Sequence, residues 1–264
     1  MIRWCAYCQR FQGEVAPFEI NDLSHGLCKD CNSIGLDWSP EQEKQIEKLR
    51  RFNERFWAAG KTGNAQSLDQ LVQEALSDGI KPFDMLLGFA TPALARVGKQ
   101  WENGRLRIEE EQQFTKTCDA FFELISRNLQ REDYKKRPQI LLANVEGNQH
   151  RLGIRFVQLG LAGIGLSSVV MRSDASTNDI VTEAVAMDAR VLGLSVAFLS
   201  QLPTLLATRL ELSKALPSCR IVVGGWAIKS GQILRSDLPE DLFVMTPIFS
   251  LSDKLLFIDL CATK

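Results

Sequence analysis

From residue 139 to its carboxyl end the chain alternates short apolar runs with stretches of helical periodicity, and this alternation restricts the fold most. Runs at about 139–145, 167–172, 190–196, 220–224 and 242–245 read as strands. Helices are expected between and after them at 149–163, 177–187, 201–216, 226–235 and 249–261. Continuous apolar runs mark strands buried on both faces. Strands alternating with helices through short loops require a parallel sheet with right-handed crossovers. Open sheets of that kind bind ligands beyond the carboxyl ends of their strands.

Three of those strand ends carry distinctive residues. Ile140-Leu141-Leu142-Ala143 runs into Asn144-Val145-Glu146-Gly147-Asn148-Gln149-His150-Arg151-Leu152-Gly153, a strand–loop–helix junction. It presents His150, one of two histidines in the protein, and Gly153, which allows a close approach to the helix start. Val191-Leu192-Gly193-Leu194 ends in Ser195-Val196-Ala197, and Ile221-Val222-Val223 ends in Gly224-Gly225. A histidine beside a helix start is ordinarily a cap or a packed residue, and small residues at strand ends are common. The three ends gain meaning only together.

The preceding half is helical. Ser39-Pro40-Glu41 is a helix start, with a capping serine, proline in the first turn and an acidic residue facing the dipole. The helix from about 40 to 59 carries Ile46, Leu49, Phe52, Phe56 and Trp57 on one side, a face for the next domain or a second subunit. Gly60-Lys61-Thr62 lacks the upstream glycine and strand of a phosphate loop, so that reading is discarded. Helices at 65–78, 81–99 and 105–131 complete a small bundle. Residues 131–138, charged and closed by Pro138, read as a solvated linker.

Four of the seven cysteines fall at the amino end, as Cys5-x2-Cys8 and, after nineteen residues, Cys28-x2-Cys31. Two such knuckles supply four thiolates for one tetrahedral Zn²⁺, which would fold a segment too short for a core of its own. His25 is a ligand if one cysteine is not, and otherwise a turn residue or a neighbour of the ligands. Cys118, Cys219 and Cys261 read as packed apolar residues. No apolar run is long enough to span a membrane, and the amino end has no signal-type core, so the expected location is the cytoplasm. A net charge of −1 offers no electrostatic basis for nucleic acid as a main partner.

Asn148-x-His150-x-x-Gly153, then Ser195-Val196-Ala197, then Gly224-Gly225 resemble the cobalamin-binding domain of methionine synthases, corrinoid carriers and cobalamin-dependent photoreceptor regulators. That family's pattern is Asp-x-His-x-x-Gly, Ser-x-Leu and Gly-Gly. The resemblance implies that His150 is the lower ligand of cobalt, with the nucleotide tail in a groove lined by Ser195, Val196, Gly224 and Gly225. Asn148 replaces the aspartate that orients the imidazole, its amide oxygen still able to accept that N–H. Ala197 replaces the leucine. Trp101 and, after nine intervening residues, Glu111-Gln112, with Ile108 between, resemble the helical cap over cobalamin's upper face, Gln112 standing for the cap histidine. The amino-terminal cysteines resemble a small module found near bacterial sensor domains.

The expected architecture is α/β: a five-stranded parallel, Rossmann-like (flavodoxin-like) cobalamin-binding domain at 137–264, a four-helix-bundle cap with its lead-in helix at 37–136, and a zinc-binding module at 1–36. The expected cofactors are cobalamin (adenosyl-, methyl- or hydroxocobalamin) and Zn²⁺. No acid/base or nucleophile set can be assembled, so a non-enzymatic, sensory or regulatory role, responsive to light or to the cofactor, is the first reading. It would act through a protein partner, with a homo-oligomer formed through helix 40–59. The alternatives are a corrinoid methyl carrier of a methyltransferase system, and a sensor holding haem or another tetrapyrrole.

Overall fold

The computed structural model describes residues 1–17, 19–35, 39–128, 139–245 and 251–262. The expected linker at 131–138 lies outside them. The chain divides into two compact units, Met1–Gln130 and Arg131–Lys264. Among the described residues no helix is long and apolar enough to cross a membrane.

The first unit opens with a three-stranded sheet in the order β2-β1-β3, from β1 (Ile2–Cys5), β2 (Phe11–Glu14) and β3 (Leu23–Gly26), followed by the short helix α1 (Lys29–Ser33). Four longer helical elements come next. They are α2 (Pro40–Thr62), α3 (Ala65–Ser77), a composite helix of α4 (Pro82–Met85), a π turn (Leu86–Ala90) and α5 (Thr91–Glu102), and α6 (Ile108–Asn128). Ser39 and Gln42 form the capping box that starts α2. That helix runs past Gly60 to a left-handed cap at Gly63, because Gly60 lies under the Phe114 ring inside the bundle. The apolar face of α2 is spent here: Phe52 tilts against Phe89 at 4.4 Å, Phe56 against Phe121 at 4.8 Å and Trp57 against Phe114 at 4.8 Å. That face, expected to pack on the next domain or on a second subunit, is covered by the helices that follow it.

The helix expected as one smooth piece over 81–99 is broken by the π turn. Pro92 has no N–H to give the Gly88 carbonyl, and the N–H of Thr91 reaches back five residues to Leu86 instead.

The second unit is a five-stranded parallel sheet in the order β5-β4-β6-β7-β8. Its elements are β4 (Ile140–Asn144), α7 (Leu152–Ala162), β5 (Ser168–Val170), α8 (Thr177–Met187), β6 (Val191–Ser195), α9 (Leu202–Ala215), β7 (Arg220–Gly224), α10 (Trp226–Lys229), β8 (Leu242–Val244) and α11 (Leu251–Ala262). The chain moves one way from β4 to β5 and the other way from β6 to β8. Right-handed crossovers therefore cover both faces, and the order reverses between β4 and β6. Leu141, Ala143, Leu192, Leu194, Ile221 and Val223 fill the core under Ile180, Leu205 and Leu212. The helix expected at 226–235 is one turn only, since Gly231 takes a φ of +74° and turns the chain out of it.

Two glycines of the first unit should respond oppositely to alanine. A Cβ at Gly60 would stand 2.3 Å from the Phe114 ring, whereas one at Gly98 in α5 would meet nothing within 4 Å. Gly60→Ala should cost about 1–3 kcal/mol by overpacking, and Gly98→Ala should add about 0.5–1 kcal/mol through helix propensity. Urea unfolding of the two variants checks this, and a shift of the same sign in both would contradict the packing described.

Candidate functional site

The site is assembled at the β4/β6 reversal, the position at which open parallel sheets generally leave a crevice between the loops of neighbouring strands. In register, Asn144 pairs with Ser195 and Ser195 with Gly224, so the three distinctive strand ends stand side by side. The loop after β4 turns sharply at Gly147, whose φ is +85°. Asn148 follows, fully buried, its N–H donating to the Val145 carbonyl at 2.9 Å.

The Asn148 carboxamide fixes the loop from within. Its Nδ2 donates to the Ser195 carbonyl at 2.9 Å and to Asn144 Oδ1 at 3.4 Å. Its Oδ1 accepts the backbone N–H of His150 at 3.0 Å. Sequence reasoning made this oxygen an acceptor for the imidazole; the structure gives it the main-chain N–H, in an Asx-type turn. With that N–H taken, α7 starts at Leu152 and not at 149, leaving His150 on the loop with its side chain exposed. Gly153, in the first turn of α7, faces open space, with no heavy atom within 4 Å of where a Cβ would stand.

The other side of the crevice is backbone against backbone. Val196 donates its N–H to the Gly224 carbonyl at 2.9 Å and accepts from Ala227 at 3.1 Å. Gly225 has a φ of +110°, and a Cβ there would lie 2.3 Å from the Val196 carbonyl oxygen, so only glycine fits. Ala197, in place of the family's leucine, is buried.

One residue of this edge escaped the sequence reading. Phe198 lies edge-on to the His150 ring, centroids 5.3 Å apart, and remains 44% exposed. Gln201 holds its main chain, Oε1 accepting the N–H groups of Ala197 at 2.9 Å and Phe198 at 3.2 Å. The only signal was its place just beyond Ser195-Val196-Ala197, which does not tell an exposed phenylalanine from a core one.

The remaining predicted residues belong to the first unit. Trp101, in the last turn of α5, is 44% exposed, and Ile108, opening α6, is 46% exposed. Glu111 is half-buried, its Oε1 accepting from Thr115 Oγ1 at 2.8 Å, and Gln112 is exposed. Trp101 is thus a surface residue at one end of the bundle, not part of its core.

The sulfurs of Cys5, Cys8, Cys28 and Cys31 lie within 4.8 Å of one another. Against burial, which raises it, the backbone N–H groups of Cys8, Cys28 and Tyr7 draw the Cys5 thiol down to about 6. Burial and its three neighbours push Cys31 up to about 12. His25 lies on β3, exposed, and is not part of the group. Cys118 is buried, while Cys219 and Cys261 are half-buried.

A parallel sheet with a histidine-bearing loop at its reversal, preceded by a helical bundle, defines a cobalamin-binding-domain protein with a helical cap. Two family models described as B12 binding domains match the chain, one over residues 53–126 and one over 138–247, and it belongs to the proteins built from these domains. It is similar to monomethylamine corrinoid proteins 1 and 2 of Methanosarcina acetivorans. Each is 25% identical over 126 and 125 residues, which is 47% of this chain and 58% of the relative. The chain thus spans little more than half the length of those curated relatives. The solved structure of the Methanosarcina barkeri monomethylamine corrinoid protein shares the fold. Its TM-score is 0.64 at 18% identity, over 82% of this chain and 99% of that one.

The Asn148 bonds predict a pH-dependent variant. Asn148→Asp removes the donor to the Ser195 carbonyl and sets a buried carboxylate against it, which should cost about 1–3 kcal/mol at neutral pH. Burial raises the folded-state pKa of that carboxyl, so the penalty grows as pH rises through it and shrinks at lower pH, where a protonated oxygen donates to Ser195. Unfolding midpoints of wild type and variant at pH 5 and pH 8 measure this; a pH-independent difference would refute the bonding.

Proposed function

We propose that this chain is a corrinoid protein of the carrier type, which holds a cobalamin cofactor for partner methyltransferases. The observation that carries the reading is the exposed His150 imidazole, on a loop held by a buried carboxamide at the sheet's reversal. Neutral imidazole is a good ligand for cobalt. The crevice suits the rest of the cofactor. Gly153 leaves space at the helix start, and among the described residues the buried Nδ2 of Asn144 makes no hydrogen bond, so it can meet a polar tail. When bound, the corrinoid supplies a cobalt centre that accepts and releases a methyl group.

The chain's own residues hold and shield. His150 would hold the cobalt through its imidazole, and Asn148 fixes the position of its main chain. Phe198, edge-on to the imidazole, restricts the ring's rotation and keeps water from one side of it. Ser195, Val196 and the glycine pair line the tail's groove. Trp101, with Ile108, Glu111 and Gln112, is proposed to meet the cofactor by resemblance, its exposed indole offering apolar surface. The likeness to monomethylamine corrinoid proteins favours the carrier over the sensory reading, and a corrinoid over haem.

Full-length protein titrated with hydroxocobalamin should give a histidine-ligated spectrum. His150→Ala should weaken binding at least about tenfold, as loss of a metal ligand does, and leave any bound cofactor without imidazole ligation. The fold should persist, since His150 is a surface loop residue. Wild-type affinity with an unchanged spectrum in this variant would overturn the assignment. Loaded with an alkylcobalamin and illuminated, a carrier keeps its oligomeric state, whereas a light-driven change of state would favour the sensor.

A further inference from the structure

Residues 1–52 lie outside both B12-domain matches, and they hold the four thiols. The cluster is built by two loops tied to each other. Cys5 ends β1, and Cys28 caps α1, its sulfur accepting the N–H of Cys31 at 3.4 Å. The N–H of Cys28 donates to the Cys5 sulfur at 3.4 Å, and Ala6 donates to the Gly26 carbonyl at 2.9 Å. Cys5, Cys28 and Cys31 are buried, and all four cysteines are free thiols. The Cys8 and Cys28 sulfurs stand 3.8 Å apart. A disulfide requires about 2 Å, whereas a tetrahedron of ~2.3 Å zinc–sulfur bonds has edges of about 3.8 Å.

This cluster does not stand apart from the helices. Trp4, next to Cys5, is fully buried, stacked on Phe89 at 4.9 Å and edge-on to Phe11 at 5.9 Å. Gly88, in the π turn, makes room for it: a Cβ there would fall 2.2 Å from the indole. Phe11 donates its N–H to Asp84 Oδ1 at 3.3 Å. Arg96 of α5, nearly inaccessible, pairs with Glu14 at 3.0 Å and donates to the Ile20 carbonyl at 3.3 Å. The sheet whose loops carry the cysteines thus packs against the composite helix.

We infer that Cys5, Cys8, Cys28 and Cys31 bind one Zn²⁺ as a closed tetrathiolate, and that this metal braces the α4–α5 helix of the bundle through Trp4. Four sulfurs complete a tetrahedron with no position left open, and their role is to keep β1 against the π turn. Zinc, without redox activity or geometric preference of its own, fits that role. Binding releases the thiol protons to solvent and changes no oxidation state.

The test uses the full chain, purified without chelator and without corrinoid, so it does not depend on the cobalamin reading. Metal analysis should find one zinc per chain. Cys28→Ser and Cys31→Ser should lose it, while Cys118→Ser and His150→Ala keep it. Cobalt(II) exchanged into the site should show thiolate charge-transfer bands and the intense visible absorption of tetrahedral coordination. Stripping the metal should raise amide hydrogen exchange across residues 82–102 at least about tenfold, since local stability there would fall. Substoichiometric zinc, iron in its place, or an octahedral cobalt spectrum would overturn the site. Unchanged exchange over 82–102 after metal removal would overturn the bracing role. If the cysteine variants do not fold, cobalt exchange into the wild-type chain decides the matter.

Discussion

The Ser195 carbonyl receives two hydrogen bonds from the loop after β4, one from the Val145 N–H at 3.1 Å and one from the Asn148 carboxamide at 2.9 Å. At the reversal of a parallel sheet the chain leaves adjacent strands in opposite directions, so beyond the Val145 bond the ladder does not hold the two loops together. The carboxamide supplies that link and continues it, through its oxygen, to the His150 main chain. Because Asn148 is buried, every bond it drops would go unmatched by water. The position of His150 is therefore a property of the strand ends, passed through one side chain.

The first unit is held together differently. Its interior is aromatic, with Phe89, Phe52, Phe121, Phe56 and Phe114 linked in a run of ring contacts, and Trp4 reaches in from the small sheet. The π turn ties the two parts together. Pro92 forces it, and the displaced turn brings Gly88 and Phe89 against the indole. Polar contacts between the small sheet and the bundle, including the buried Arg96–Glu14 pair, specify one way of packing more than they add stability.

Much of the α/β half was legible because its strands are short unbroken apolar runs separated by helical periodicity. Those two patterns rarely mimic each other in a parallel sheet. Strands expected at 139–145, 190–196 and 220–224 stand at Ile140–Asn144, Val191–Ser195 and Arg220–Gly224. Periodicity failed where one backbone group decided the outcome. It could not show that Asn148 would capture the His150 N–H and delay α7, that Gly231 would cut α10 to a turn, or that Pro92 would shift the ladder at Leu86. Cysteine spacing disclosed four thiols that the structure gathers within 4.8 Å, but not that Trp4 between them and the bundle is buried. The exposure of Phe198 depends on how a loop leaves the sheet, which residue type alone does not carry.

That an imidazole of this chain, and not the cofactor's own base, lies under the cobalt is the claim on which the functional account rests. Electron paramagnetic resonance of the cobalt(II) cofactor on protein labelled with nitrogen-15 only in histidine separates the two cases. The chain has two histidines, His150 in the α/β unit and His25 on β3. Coordination by His150 predicts that the nitrogen splitting of the cobalt lines changes from three components to two on labelling, and that His150→Ala abolishes the change. A three-component pattern that persists in labelled protein would mean the cofactor keeps its own base, and would contradict the account.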